Sequence, residues 1–358
     1  MAITATDTSL QARLNERFER DSDRRALAFY NAAGEYSWLS YGDVFSRAEQ
    51  LASGMVEHGL GQGDVCVLVL NSDDFSAHAI LATLLLGGIP LLVAPPVIQG
   101  ANSSLREIVH GVISRTQAKL AIFDNSMLDM QEELVAGNPG TTVLFGQDSL
   151  SVTTGKTVQR AQPAATDIVG MQLTSGTTGF PKICVWKQRS MLAALDGMAD
   201  AMHAGRDDIY LNWTPLYHDM GLVNNFLLCL SRGIPLVMLK PHDFVKDPAI
   251  WLRAMADTGA TITWAPNFGF ALAAQRVRDE QIEGVRLDHV KGFWNAAERI
   301  HLDTILAFQK RFEPIGLAPE AVKTNFGCAE NIGGATFSDP DGMFIVEHVD
   351  PEALYEDG

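Results

Sequence analysis

The chain has 358 residues, 47% apolar and 20% charged, a balance that fits a folded globular protein and excludes a disordered one. With 27 basic against 43 acidic residues the formal net charge is −16, which repels phosphate backbones and excludes nucleic acid as a main partner. No segment approaches the ~20 uninterrupted apolar residues of a membrane span, and the first twenty residues carry no secretory h-region, so no membrane partner is expected. Cys66, Cys184, Cys229 and Cys328 lie far apart without CxxC spacing or nearby histidines. That spacing argues against zinc and against a disulfide framework, and it fits reduced thiols in a cytoplasmic protein.

The length exceeds what one hydrophobic core usually serves, so two α/β subdomains are expected, 1–165 and 166–358. Val65–Leu70 is a continuous apolar run, the signature of a strand buried on both faces. Ser72–Gly87 follows as a helix with Asp73 and Asp74 in its first turn, where the helix dipole favours negative charge. Ile89–Val93 is the next strand. Helix and strand then alternate: 104–115 with 120–123, 191–203 with 209–213, 221–231 with 235–239, 249–257 with 261–264, and 302–311 with 322–325. Such alternation predicts largely parallel sheets flanked by helices. A stretch rich in Gly, Thr, Gln and Pro from 137 to 166 reads as the subdomain connection. The tail 344–358 is acidic and ends without a closing element, so the fold is expected to be incomplete at the C-terminus.

The most informative segment is Leu173-Thr-Ser-Gly-Thr-Thr-Gly-Phe-Pro-Lys182. It follows an apolar run, is expected to precede a helix, and so occupies the place where α/β sheets bind ligands. In Thr174, Ser175, Gly176, Thr177, Thr178 and Gly179, glycines let backbone N–H groups approach phosphate oxygens and hydroxyls donate further bonds. Lys182 adds a positive charge. The spacing is not that of a Walker loop, because no Gly-Lys-Ser/Thr follows.

This segment resembles the phosphate-binding signature of adenylate-forming enzymes, the family of acyl-CoA synthetases, fatty acyl-AMP ligases, luciferases and nonribosomal peptide adenylation domains. Four further segments resemble the family's motifs in order: 39–65, Trp213-Thr-Pro-Leu-Tyr-His-Asp-Met-Gly-Leu222, Asn295-Ala-Ala-Glu298, and Asn325-Phe-Gly-Cys-Ala-Glu330. The His-Asp-Met-Gly form, Ala265-Pro-Asn-Phe268 and Ala329 before Glu330 are most similar to the fatty acyl-AMP ligases.

The resemblance implies ATP-dependent activation of a carboxylic acid to acyl-AMP with release of pyrophosphate, using Mg²⁺. It further implies transfer of the acyl group to the phosphopantetheine thiol of an acyl carrier protein. It assigns phosphates to Lys182 and the 174–179 loop, Mg²⁺ to Glu330, and adenine to Asn295, Ala296, Ala297, Asn325, Phe326 and Gly327. The acid falls to His218, Asp219, Met220, Gly221, Trp264, Phe268 and Ala329. Taken alone, Glu330 reads as a surface carboxylate and His218 as a structural histidine. Asp219 either orients His218 or caps the following helix, and Phe326, Trp264, Phe268 and Phe270 read equally as core aromatics. Asp219 stands apart from the position of the aspartate that pairs with a substrate ammonium in amino-acid-activating members, which favours an apolar acid. The residues Ile183, Cys184, Gln188 and Ala296 depart from the family pattern, and Trp264 and Trp294 are bulkier than expected, which predicts a shortened acyl tunnel. The Thr-Gly-Asp motif and the C-terminal lid domain with its catalytic lysine are absent from these residues, so weak activity of the chain alone is expected. An acyl-CoA synthetase using free CoA and a catalytically silent adenylate- or partner-binding relative are the alternatives.

Overall fold

The computed structural model describes residues 9–96, 103–150, 158–174 and 180–350. Its strands are β1 (Arg25–Tyr30), β2 (Trp38–Ser40), β3 (Val65–Val69), β4 (Ile89–Leu92), β5 (Leu120–Phe123), β6 (Thr142–Phe145) and β7 (Ile168–Leu173). They continue with β8 (Ile183–Lys187), β9 (Tyr210–Asn212), β10 (Leu236–Leu239), β11 (Ile262–Pro266), β12 (Gly292–Ala296), β13 (Val322–Cys328) and β14 (Gly333–Phe337). Two sheets result, a six-stranded one ordered β6-β5-β3-β4-β7-β8 and an eight-stranded one ordered β14-β13-β12-β11-β9-β10-β1-β2. All pairs are parallel except β7/β8, β1/β2 and β13/β14.

Side-chain alternation along buried strands splits the apolar residues into three cores. Val65, Val67 and Val69 of β3 pack on one side of the six-stranded sheet, under the Ser103–Thr116 helix. Cys66 and Leu68 point the other way, into a core that also receives Tyr210, Leu236, Met238 and Trp264 of the eight-stranded sheet. The Tyr41–Glu57, Asp74–Leu85 and Gln188–Ala201 helices fill this central layer, so both sheets rest on the same helices. The far face of the eight-stranded sheet carries Leu211, Trp213, Val237 and Phe293 against the Ala249–Thr258 and Leu302–Phe312 helices. Capping boxes open two of the central helices, Ser40 with Asp43 and Asp73 with Ser76. Asp73 is thus the cap rather than a first-turn residue.

Three features depart from the sequence expectation. Strands from both sides of the 165/166 division share each sheet: β1 and β2 join the later strands, and β7 and β8 complete the earlier ones. Strand order is a long-range pairing that local composition does not encode. The 137–166 stretch is more than a connection, because β6 lies within it. Gly140 and Gly146, at φ +98° and +65°, bracket that strand in turns and dilute its apolar signal. Finally, Lys182 is followed by the strand β8, not by a helix, and the Gln188–Ala201 helix begins only after it. The alternation and β-branching of Ile183-Cys-Val-Trp-Lys187 favour a half-buried strand.

Trp251 anchors the outer core, fully buried, with its indole N–H donating to Thr263 Oγ1 at 2.9 Å and aromatic contacts to Trp213, Phe244, Phe270 and Phe293. Trp251→Ala is expected to lower stability by about 3–5 kcal/mol in urea unfolding, and a loss under ~1 kcal/mol would contradict this packing.

Candidate active site

A cavity of about 620 Å³ opens at the carboxyl ends of β7, β12 and β13, within the range of small-ligand sites. One wall comes from the six-stranded sheet. Thr174 N–H donates to the Lys182 carbonyl at 2.9 Å and closes the base of the β7/β8 hairpin, so both residues border the cavity. Ser175, Gly176, Thr177, Thr178 and Gly179 lie outside the described residues. Among the described residues a strand, not a helix, follows this segment, and Lys182 is the only lysine or arginine among the lining ones.

The 213–222 segment forms the second wall, through Tyr217, His218, Asp219 and Met220. Asn212 Oδ1 accepts from Thr214 N and Oγ1 at 2.9 and 2.6 Å, and Ser72 Oγ accepts from Leu216 N at 2.8 Å, which fixes the turn after β9. Gln172 Nε2 donates to the Tyr217 carbonyl at 2.7 Å and ties β7 to this turn. His218 is half exposed, with Nδ1 2.8 Å from Asp219 Oδ1 and 3.1 Å from Met220 N. Asp219 Oδ1 also accepts from Met220 N at 2.9 Å and caps the π-helical segment Met220–Leu227. The two roles expected of Asp219 are therefore compatible. Gly221 does not line the cavity; a Cβ there would lie 2.2 Å from the Pro215 carbonyl oxygen, so close backbone packing requires the glycine.

The third wall consists of Ala296, Ala297, Asn325, Gly327, Cys328, Ala329 and Glu330. Ala297 and Ile332 sit at φ +71° and +61°, a conformation costing roughly 1–3 kcal/mol per non-glycine residue and concentrated at binding sites. Asn325 Nδ2 donates to the Thr336 carbonyl. Trp186 of β8 donates its indole N–H to the Ala329 carbonyl at 2.8 Å, a second tie across the cleft. Burial first, then the charges of Glu330, Cys328 and Asp219, push the Cys184 thiol up. Glu330 is exposed and makes no ion pair among the described residues, and no cluster of three metal-ligating side chains occurs among them.

Besides Gly221, four expected site residues do not line the cavity. Asn295 is fully buried and donates from Nδ2 to Asn267 Oδ1 at 3.2 Å, behind the cavity wall. Phe326 is 63% exposed, between two lining neighbours. Phe268 packs edge-on against Trp213 at 5.9 Å, its backbone N–H held by Glu298 Oε1 at 2.6 Å. Trp264 is core, stacked on Trp294 at 5.6 Å and 23°. Phe270, also considered for the acid pocket, is fully buried in the outer core. Conversely, Gln172 and Asn224 line the cavity and Trp186 braces its third wall, and all three escaped the motifs. Gln172 and Asn224 carried a signal, being amides inside apolar runs.

Two largely parallel sheets on a shared core, with a cleft at their carboxyl ends, make up the N-terminal architecture of adenylate-forming enzymes. Residues 14–351 match the model of the AMP-binding enzyme family, and the chain belongs to that family. It is 28% identical over 340 residues to a long-chain-fatty-acid–AMP ligase of Mycobacterium marinum, covering 92% of this chain and 57% of the relative. Among solved structures it is similar to the adenylation domain of a keto acid-selecting nonribosomal peptide synthetase module bound to keto acyl adenylate. There the TM-score is 0.85 at 26% identity, over 95% of this chain and 61% of that one. A fatty acyl-adenylate ligase structure from the E. coli and L. pneumophila enzymes shares the fold, with TM-score 0.85 at 24% identity over 94% and 60% of the two chains. The chain thus spans about three fifths of the length of these relatives.

Gly221→Ala is expected to force the turn at 215–221 open, lowering stability by about 1–3 kcal/mol in urea unfolding. Unchanged stability would contradict the close packing at position 221.

Proposed function

We propose that this chain provides the adenylate-forming site of an enzyme that converts ATP and a carboxylic acid to acyl-AMP and pyrophosphate. The observation carrying this reading is the convergence of Lys182, His218, the 325–330 segment and Glu330 on one cavity from three distant parts of the chain. In the proposed step a carboxylate oxygen attacks the α-phosphorus, the new P–O bond forms in line with the one that breaks, and pyrophosphate leaves. Two anions must meet, so positioning and charge compensation do most of the catalytic work. Lys182 borders the cavity and would hold a phosphate of ATP there. Since Nδ1 of His218 is engaged by Asp219 and Met220, Nε2 is the nitrogen left to border the acid. Ala296, Ala297 and Gly327 flank the adenine position, with Asn325 beside them and Phe326 free to stack on the base.

An exposed, unpaired carboxylate such as Glu330 suits Mg²⁺, which commonly takes one or two protein carboxylates plus substrate phosphates. When bound, Mg²⁺ would supply charge neutralisation on the phosphates. The acceptor of the acyl group is proposed to be the phosphopantetheine thiol of an acyl carrier protein. Similarity to a solved adenylation domain joined to a peptidyl carrier domain supports that choice, while relatives named as fatty-acid–CoA ligases make free CoA the second reading. The four cysteines are free thiols, which supports a cytoplasmic setting.

For the acid, the reading is an apolar body of limited length. Ala296 of β12 lines the main cavity, and Trp294 and Gly292 on the same strand face line a second cavity of about 360 Å³. Trp294, stacked on Trp264, comes between Gly292 and Ala296 along that strand face. Trp294→Ala is expected to join the cavities and shift preference to longer acids, measured by competition among acyl-adenylate analogues of graded chain length. Trp264→Ser is expected to act in the same direction but more weakly; an unchanged chain-length profile in both variants would refute the partition.

The function itself is tested by calorimetry with a non-hydrolysable acyl-adenylate analogue and with AMP. Lys182→Ala and Glu330→Gln are expected to cut ATP affinity in the presence of Mg²⁺ by at least tenfold. His218→Ala is expected to weaken the acyl-adenylate but not AMP. Equal losses for both ligands in His218→Ala would remove that residue from the acid site.

A further inference from the structure

Strand β8 carries one side chain that leaves its own sheet and reaches the third wall of the cavity. Trp186 is 2% exposed, and its indole N–H donates to the Ala329 carbonyl at 2.8 Å. Gly170, its register partner on β7, places no side chain beside the ring. The Ala329 carbonyl accepts a second bond, from Ile332 N–H at 3.2 Å, which closes the 3₁₀ turn Ala329–Asn331. Glu330 is the middle residue of that turn. It makes no ion pair among the described residues, and Ile332 leaves the turn at φ +61°. Backbone geometry, not a partner side chain, therefore sets where this carboxylate stands.

The same strand faces the carboxylate at a second point. Cys184 precedes Trp186 by two residues and so lies on the same face of β8. Burial first, and then the nearby charge of Glu330, raises its thiol. Lys182 immediately precedes β8, where its carbonyl accepts from Thr174 N–H at 2.9 Å. One short strand thus links the cavity's lysine, through the Trp186 indole, to the turn that holds Glu330. Without the indole N–H the turn keeps only its internal bond, and Glu330 is no longer tied to the strand of Lys182.

We infer that Trp186 is a positioning residue, which through the Ala329 carbonyl holds the Glu330 carboxylate in register with Lys182 so that one metal-bound triphosphate meets both. This rests on the adenylate-forming function proposed above, with Glu330 as the Mg²⁺ ligand. Mg²⁺ demands near-ideal octahedral geometry and takes few protein carboxylates, so a loosely held one serves it poorly. Reactions that depend on alignment are equally sensitive to small misplacements.

The test is calorimetric titration of ATP at graded Mg²⁺ concentrations into the unaltered chain, Trp186→Phe, Glu330→Gln and the double variant, with AMP as the ligand that needs no metal. Trp186→Phe keeps an aromatic ring and removes the donor. It is expected to raise the Mg²⁺ needed for half-maximal tightening of ATP by about fivefold, the worth of one net hydrogen bond, with AMP affinity unchanged. In the Glu330→Gln background it should add nothing, because the carboxylate it positions is gone. An unchanged Mg²⁺ requirement in Trp186→Phe, an equal loss of AMP affinity, or an additive effect in the double variant overturns the inference and leaves the adenylate site standing. An unchanged Mg²⁺ requirement in Glu330→Gln removes that residue as the metal ligand, and the inference with it. Failure of the unaltered chain to bind ATP or AMP overturns the adenylate site itself. If Trp186→Phe does not fold, benzothienylalanine at position 186, which keeps the indole shape without its N–H, gives the same comparison.

Discussion

Both sheets are built on one set of helices, and the position of the site depends on that sharing. The Tyr41–Glu57, Asp74–Leu85 and Gln188–Ala201 helices bury side chains from the near faces of the six- and eight-stranded sheets in a single core. Burial worth roughly 1.5–3 kcal/mol per large apolar side chain holds the sheets at a fixed separation. The β7/β8 hairpin is thereby brought over the carboxyl ends of β12 and β13, which it does not neighbour in either sheet. Two hydrogen bonds then cross the gap, Gln172 to the Tyr217 carbonyl and Trp186 to the Ala329 carbonyl. Each joins an interior side chain of one sheet to a backbone carbonyl in a loop of the other. The cavity is what remains between the two ties.

This arrangement brings residues far apart in sequence to the wall of one cavity. Lys182, His218 and Glu330 come from a hairpin, a turn after a central strand and a strand end, and no two share an element. The turn that carries His218 tolerates no side chain at position 221, and the segment that carries Glu330 runs into Ile332, a β-branched residue at positive φ. Rigid placement of this kind costs stability locally and is maintained by the packed cores around it.

Much of this was legible in the sequence, for identifiable reasons. Strands buried on both faces, such as Val65–Val69 and Leu120–Phe123, announce themselves as unbroken apolar runs. Turn chemistry and ordered motifs located the 173–182, 213–222 and 325–330 segments, which do meet at one cavity where they are described. What escaped was long-range or collective. The pairing of β1 with β10 and of β4 with β7 follows from packing across the whole chain and leaves no local trace. Trp264 looked like a pocket wall because large aromatics suit pockets and cores alike, and only its stacking on Trp294 decides between them. Gln172 and Asn224 lay in plain view as polar residues in apolar runs, yet only the folded chain shows that they line the cavity.

The most direct measurement is hydrogen–deuterium exchange by mass spectrometry, with and without a saturating non-hydrolysable acyl-adenylate analogue. If the cavity is an adenylate site, peptides holding Thr174 and Lys182, residues 217–224 and residues 325–333 should slow together, while peptides around the Met202, Val290 and Ala318 cavity stay unchanged. Protection confined to that second cavity, or to only one of the three walls, would contradict the account.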